Sequence, residues 1–204
     1  MAYNDASFGF IPVRHRNGAP YNGAGRWYWV DSSDSTALFI GDPVIIDGTS
    51  NTALIAVPGA GSFKPGTLPG VTRATAGAEN RVTGVVVGVG ADTRDSAVSR
   101  AASTERLVFV ADDPDLIFRV QADGAIATTA VGLNTNILFT HAGSAYTGRS
   151  GAEVDATAAA DATYQCQIVG LYNDPENVAN AAGNQFEVIF ALHTMLPAGG
   201  IVGV

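Results

Sequence analysis

The sequence predicts an all-β protein, an antiparallel sandwich or small barrel with an extended N-terminal arm and little helix. Three observations carry this. Runs rich in Val, Ile, Leu and Phe, about five to nine residues long, recur from residue 37 to residue 193 and are parted by Gly, Pro, Asn and Asp clusters. No segment of helical length shows an amphipathic stripe, and the Ala-rich stretches 96–103 and 156–162 allow a turn or two at most. Residues 1–36 differ from the rest, with seven large aromatics among turn-forming glycines and two prolines. The expected content is about 30–45% strand and under about 15% helix.

Residues 1–36 are read as the arm and 37–204 as the β-rich body. In the arm, Asn17-Gly18 and Asn22-Gly23 mark turns, and Pro12 and Pro20 argue against helix. Phe8, Phe10, Tyr21, Trp27, Tyr28 and Trp29 need a surface to cover them, either the body or a neighbouring subunit. The candidate inter-subunit contacts are Phe8, Phe10, Arg14, Arg16, Arg26, Trp27 and Trp29, because aromatics and arginine dominate interface hot spots. The alternative is that the segment forms the first strand or two of the chain's own barrel.

In the body, residues 37–46 look like two strands around Gly41-Asp42-Pro43, with a turn at Asp47-Gly48. Residues 53–57 form another run, and 58–70, with three prolines and four glycines, a loop. Runs at 81–89, 106–111, 116–121, 136–140, 164–171 and 186–193 complete the set.

Only 15% of the residues are charged, against roughly 25% in an average soluble protein. A surface so poor in charge suggests cover by partners. The net charge of −8 opposes non-specific nucleic-acid binding. It is uneven: residues 1–30 hold Arg14, Arg16 and Arg26 against Asp5 alone, so the basic head is expected to dock elsewhere. The lone Cys166 excludes an intrachain disulfide and, within an apolar run, is expected to be a core thiol. No apolar run reaches membrane-spanning length, and Met1-Ala-Tyr-Asn-Asp5 lacks the features of a signal peptide, so no membrane partner is expected.

Catalytic and cofactor motifs are weak. His15, His141 and His193 lack metal-ligand spacing. Gly148-Arg-Ser-Gly-Ala152 lacks the second glycine of a nucleophile elbow, and Gly59-Ala-Gly-Ser-Phe-Lys64 is not a phosphate loop. Neither an enzyme nor a cofactor is expected. Asp112-Asp113-Pro114-Asp115 is the densest acidic site. It could hold a cation, form a solvated turn, or receive an arginine from a neighbouring subunit.

Several strings together resemble tailed-bacteriophage head-decoration (capsid cement) proteins. They are Gly41-Asp-Pro-Val-Ile-Ile46, Val82-Thr-Gly-Val-Val-Val-Gly88, Arg106-Leu-Val-Phe-Val-Ala-Asp-Asp-Pro-Asp-Leu-Ile-Phe118, Gly170-Leu-Tyr-Asn-Asp-Pro-Glu176 and Ala191-Leu-His-Thr194. The resemblance implies a virion protein on the outer capsid surface, made in the host cytoplasm. It implies binding between major capsid protein subunits and self-association, as a trimer rather than a dimer, without turnover. A receptor- or carbohydrate-binding β-sandwich of a tail or spike is the alternative, with Trp27, Tyr28 and Trp29 stacking on sugar rings.

Overall fold

The computed structural model describes residues 6–57, 61–93 and 95–196. The fold is all-β, with 40% strand and a closed five-stranded barrel beside antiparallel sheets. The strands are β1 (Ile11–His15), β2 (Arg26–Val30), β3 (Pro43–Ser50), β4 (Ile55–Val57), β5 (Gly61–Phe63), β6 (Pro69–Arg73), β7 (Gly84–Val89), β8 (Arg106–Ala111), β9 (Leu116–Gln121), β10 (Asn134–Thr135), β11 (Ile137–Leu138), β12 (Glu153–Val154), β13 (Cys166–Leu171) and β14 (Gln185–Phe190). The Ala-rich stretches stay non-helical, and a 3₁₀ turn forms instead at Thr128–Ala130.

The barrel runs β2-β6-β3-β7-β8. Neighbours in a ring of five cannot all alternate in direction, so one parallel pair is forced. It falls between β2 and β6, at Trp29 and Gly70. Inward-facing residues alternate along the strands, and Tyr28, Val30, Val44, Val71, Val86, Val108 and Val110, with Leu38, fill the interior.

The second layer is a sheet in the order β1-β9-β14-β13-β10, antiparallel throughout. Its inner face packs on the barrel through Leu116, Phe118, Val120, Phe186, Val188, Phe190, Cys166 and Ile168. At the centre Phe118 and Phe190 lie 4.9 Å apart, with Phe10 5.5 Å from Phe190. A third cluster lies outside the barrel, where Ile55, Val57 and Phe63 of the β4–β5 hairpin cover Trp29, Leu68 and Leu107.

Much of the chain is irregular, and buried polar side chains hold it. Asn51 donates to Ala53 O and Lys64 O and accepts from Leu68 N. Gln165 accepts from Gly77 N and Ile137 N and donates to Thr75 O and Asn80 O. Each amide replaces the sheet partners that such loops lack.

The segment read as an arm is extended, and from Ile11 to Val30 it supplies strands to both layers of this chain. β1 pairs with β9, and β2 pairs with β6 and β8. Its entry depends on two glycines that cross closely. Gly9 and Gly41 both have positive φ, and a Cβ on Gly9 would strike Ser150 and the Gly41 carbonyl. Phe10 N then donates to Gly41 O (2.9 Å), which drops the Phe10 ring into the core. The physical reason is area: burying an aromatic removes it from water more effectively than an arm could alone. Residues 1–5 lie outside the described residues.

Candidate functional site

The seven candidate contact residues separate by burial. Phe10 and Trp29 are buried in the chain's own clusters. Trp27 is half-buried, with its ring 5.1 Å from Phe109. Phe8 is half-buried, with Arg119 over its ring at 5.2 Å. The three arginines reach outward from strands or turns, and each meets a carboxylate of this chain.

These ion pairs account for the acidic turn between β8 and β9. Arg26 Nε donates to Asp112 Oδ2 (2.5 Å), and the Tyr28 hydroxyl donates to the same oxygen (2.7 Å). Burial and this hydrogen bond to Asp112 raise the Tyr28 phenol above its ordinary pKa. His15 Nδ1 lies 3.4 Å from Asp113, and Arg16 lies 3.9 Å from Asp115. Arg14 donates to Glu187 on β14 at 2.6 Å. The basic partners therefore come from residues 14–26 of the same chain. No group of three or more His, Cys, Asp or Glu among the described residues is arranged to hold a metal ion.

The serine weighed as a nucleophile has a structural task. Ser150 is buried, donates to Asp42 Oδ1 (2.5 Å) and accepts from Ala152 N. Asp42 Oδ2 accepts from Phe39 N, and burial raises its carboxyl pKa. Cys166 is buried on β13, and burial pushes its thiol up. Among the described residues no helix is long and apolar enough to cross a membrane.

The outer face of the five-stranded sheet holds a concavity of about 540 Å³. The ladder places Arg14, Ile117, Ile189 and Gln167 in one row across β1, β9, β14 and β13. Val131 and Val169 flank the row, and Arg14 and Arg16 line it on the β1 side. Val131 is 45% exposed, and the Arg16 side chain is 55% exposed. The result is a shallow trough with a cationic rim; its floor residues Ile117 and Ile189 are each 2% exposed, so its open apolar area comes from Val131 and Val169. Sequence reasoning named the two arginines. It missed Val131 and Val169, because facing positions at the ends of irregular loops carry no periodic signal.

No family model matches the chain, and neither a curated protein nor a solved structure matches it.

Proposed function

We propose that this chain is a structural virion protein that decorates the outer surface of an icosahedral phage head by binding between major capsid subunits. The observation that carries the reading is the outer trough of the five-stranded sheet, with the exposed Val131 and the Arg14–Arg16 rim. The sequence resemblance and the low charge support it. Attraction in this surface comes from apolar area. Arg14 is already committed to Glu187, whereas Arg16 is loosely held at 3.9 Å and can re-pair with a capsid carboxylate. Binding without turnover suits a surface of this kind.

The carbohydrate-binding alternative rested on Trp27, Tyr28 and Trp29. Tyr28 and Trp29 are buried and Trp27 packs on Phe109, so these three rings do not form an open stacking platform.

The test is co-sedimentation of the purified chain with empty heads assembled from the major capsid protein of the same virus. Wild type is expected to sediment with heads. Arg16→Glu combined with Val131→Asp is expected to weaken binding by at least about tenfold while leaving the circular dichroism spectrum unchanged. Wild type that stays in the supernatant refutes the function, and a double variant that binds like wild type removes the trough from it.

A further inference from the structure

After β14 the chain returns to the barrel as a short strap. Val82 N donates to Leu192 O and Thr194 N donates to Val82 O, both at 2.9 Å, so His193 sits in a parallel bridge to Val82. Residues 193–196 then form a turn, closed by Leu196 N donating to His193 O at 3.1 Å. Two side chains clamp that turn. Arg81 Nη1 donates to His193 O and to Leu196 O, both at 3.2 Å. The His193 ring is buried, and its Nδ1 accepts from Met195 N at 3.1 Å. A ring nitrogen that accepts carries no proton, so this bond assigns the neutral imidazole with its proton on Nε2.

We propose that His193 is an acid-operated latch: a proton taken up on Nδ1 displaces the Met195 N–H and opens the turn at residues 193–196 while the barrel and the sheet stay folded. The device does not depend on the function proposed above. Its chemistry is one proton gained from solvent, which turns Nδ1 from acceptor to donor and sets it against another donor. The β8–β9 turn brings Asp112 and Asp113 toward the ring. Asp112 is held by Arg26 and Tyr28 of β2, and Asp113 lies 3.4 Å from His15 of β1. The segment before β7 supplies Arg81 and the Thr83 backbone, and Arg26 also reaches Met195 Sδ at 3.9 Å. The backbone acceptors and the two carboxylates favour the imidazolium, but burial outweighs them and lowers the His193 pKa. The closed turn is therefore held above the ordinary imidazole value, about 6.5, and gives way as pH falls through the lower folded value. Opening sacrifices the Met195 bond to the ring, the Arg81 clamp and the long Arg26 contact, and leaves the ladders of the barrel and the sheet intact, so local release comes before unfolding.

Met1 and Met195 are the two methionines of the chain, so methyl-13C methionine labelling places one reporter on this turn. The Met195 methyl resonance is expected to move to its free-peptide position as pH falls from about 7.5 to about 5, with a midpoint below about 6.5. The far-UV circular dichroism spectrum should not change over that range. His193→Asn keeps an uncharged acceptor for Met195 N and should hold the turn closed throughout. His15→Gln removes the other histidine beside the acidic turn and should leave the midpoint where it is. Arg81→Met weakens the closed turn and should raise the midpoint toward about 6.5, which tests the latch even where His193→Asn does not fold. A Met195 signal that stays in place overturns the latch, as does one that moves equally in His193→Asn or only together with loss of the dichroism spectrum. A midpoint that follows His15, or that Arg81→Met leaves unchanged, overturns it too.

Discussion

Arg100 is fully buried, although nothing in its Ala- and Ser-rich surroundings marks it as core. Its guanidinium donates to four carbonyls: Thr104 (2.8 Å), Thr36 (2.5 Å), Asp31 (2.7 Å) and Asp34 (2.8 Å). Asp34 also places a carboxylate oxygen 3.8 Å away. The backbone of Arg100 pairs with that of Leu38, which plugs the barrel. Arg100→Met keeps the length and removes every donor. Hydrogen bonds to a charged group are worth about 1.5–3 kcal/mol each, giving a gross loss of about 6–12 kcal/mol. The guanidinium no longer has to be desolvated, which returns several kcal/mol, and water reaches some of the freed carbonyls at this partly exposed loop, so the net cost is about 3–5 kcal/mol. At this chain length that lowers the melting temperature by about 6–20 °C. Arg100→Lys should lie in between, since one ammonium cannot span four acceptors. Equilibrium urea unfolding followed by circular dichroism measures the loss. A loss below about 1 kcal/mol for Arg100→Met would refute the claim that this side chain holds the loop to the barrel.

Two further outcomes follow from local geometry. His193 is buried with Nδ1 accepting from Met195 N, and burial lowers its pKa despite the opposing pull of nearby acceptors and Asp112. Its folded pKa lies below its unfolded one, so its contribution to stability is present above the unfolded value, about 6.5, and is lost as pH falls from there through the folded pKa. His193→Asn keeps an acceptor for Met195 N and should flatten that part of the pH–stability curve; an unchanged curve would exclude His193 as its source. The second outcome concerns the two exposed Asn-Gly pairs. Succinimide formation needs the glycine nitrogen to attack the asparagine Cγ and expel ammonia. Gly18 N is committed to His15 O (2.9 Å), whereas Gly23 N forms no backbone hydrogen bond among the described residues. On ageing in mildly alkaline buffer Asn22 should therefore deamidate ahead of Asn17, and peptide mapping that finds the reverse order would show that the hydrogen bond does not protect.

The strands that were legible in the sequence are those with large apolar runs. β8 and β9 fall where the residue pattern put them, because two β-branched and aromatic runs flank the unmistakable Asp112–Asp115 turn. β6 was missed although it closes the barrel. Its residues Pro69-Gly-Val-Thr-Arg73 contain one large apolar side chain, Val71, and Gly70 lies against the ends of the exposed Thr49 and Asp47 side chains. Its strand character is set by its neighbours β2 and β3 rather than by propensity. The loop expected at 58–70 likewise holds β5 and the start of β6, and the strand expected before Gly41 is reduced to isolated bridges at Leu38 and Ile40. Arg100, Gln165 and Asn51 were invisible for a related reason: a polar residue that staples a loop looks, in sequence, like any exposed polar residue.

The charge asymmetry finds carboxylate partners inside the chain itself. Arg14, His15, Arg16 and Arg26 approach Glu187, Asp113, Asp115 and Asp112, which ties the first strands to the β8–β9 turn and to β14. A cation paired at short range has little attraction left for a third group, and an exposed pair contributes at most about 1 kcal/mol. Arg26 and Arg14 are therefore poor anchors for a neighbour, and Phe10 and Trp29 are unavailable to one. Apolar side chains left open to a partner include Leu54, Val98 and Val131, with the loosely paired Arg16 beside the last. An acidic chain whose basic residues are paired internally repels its own copies at long range. Added salt should then strengthen whatever self-association the chain shows by screening the net charge, and association that weakens with salt in sedimentation velocity would point instead to an interface held by ion pairs.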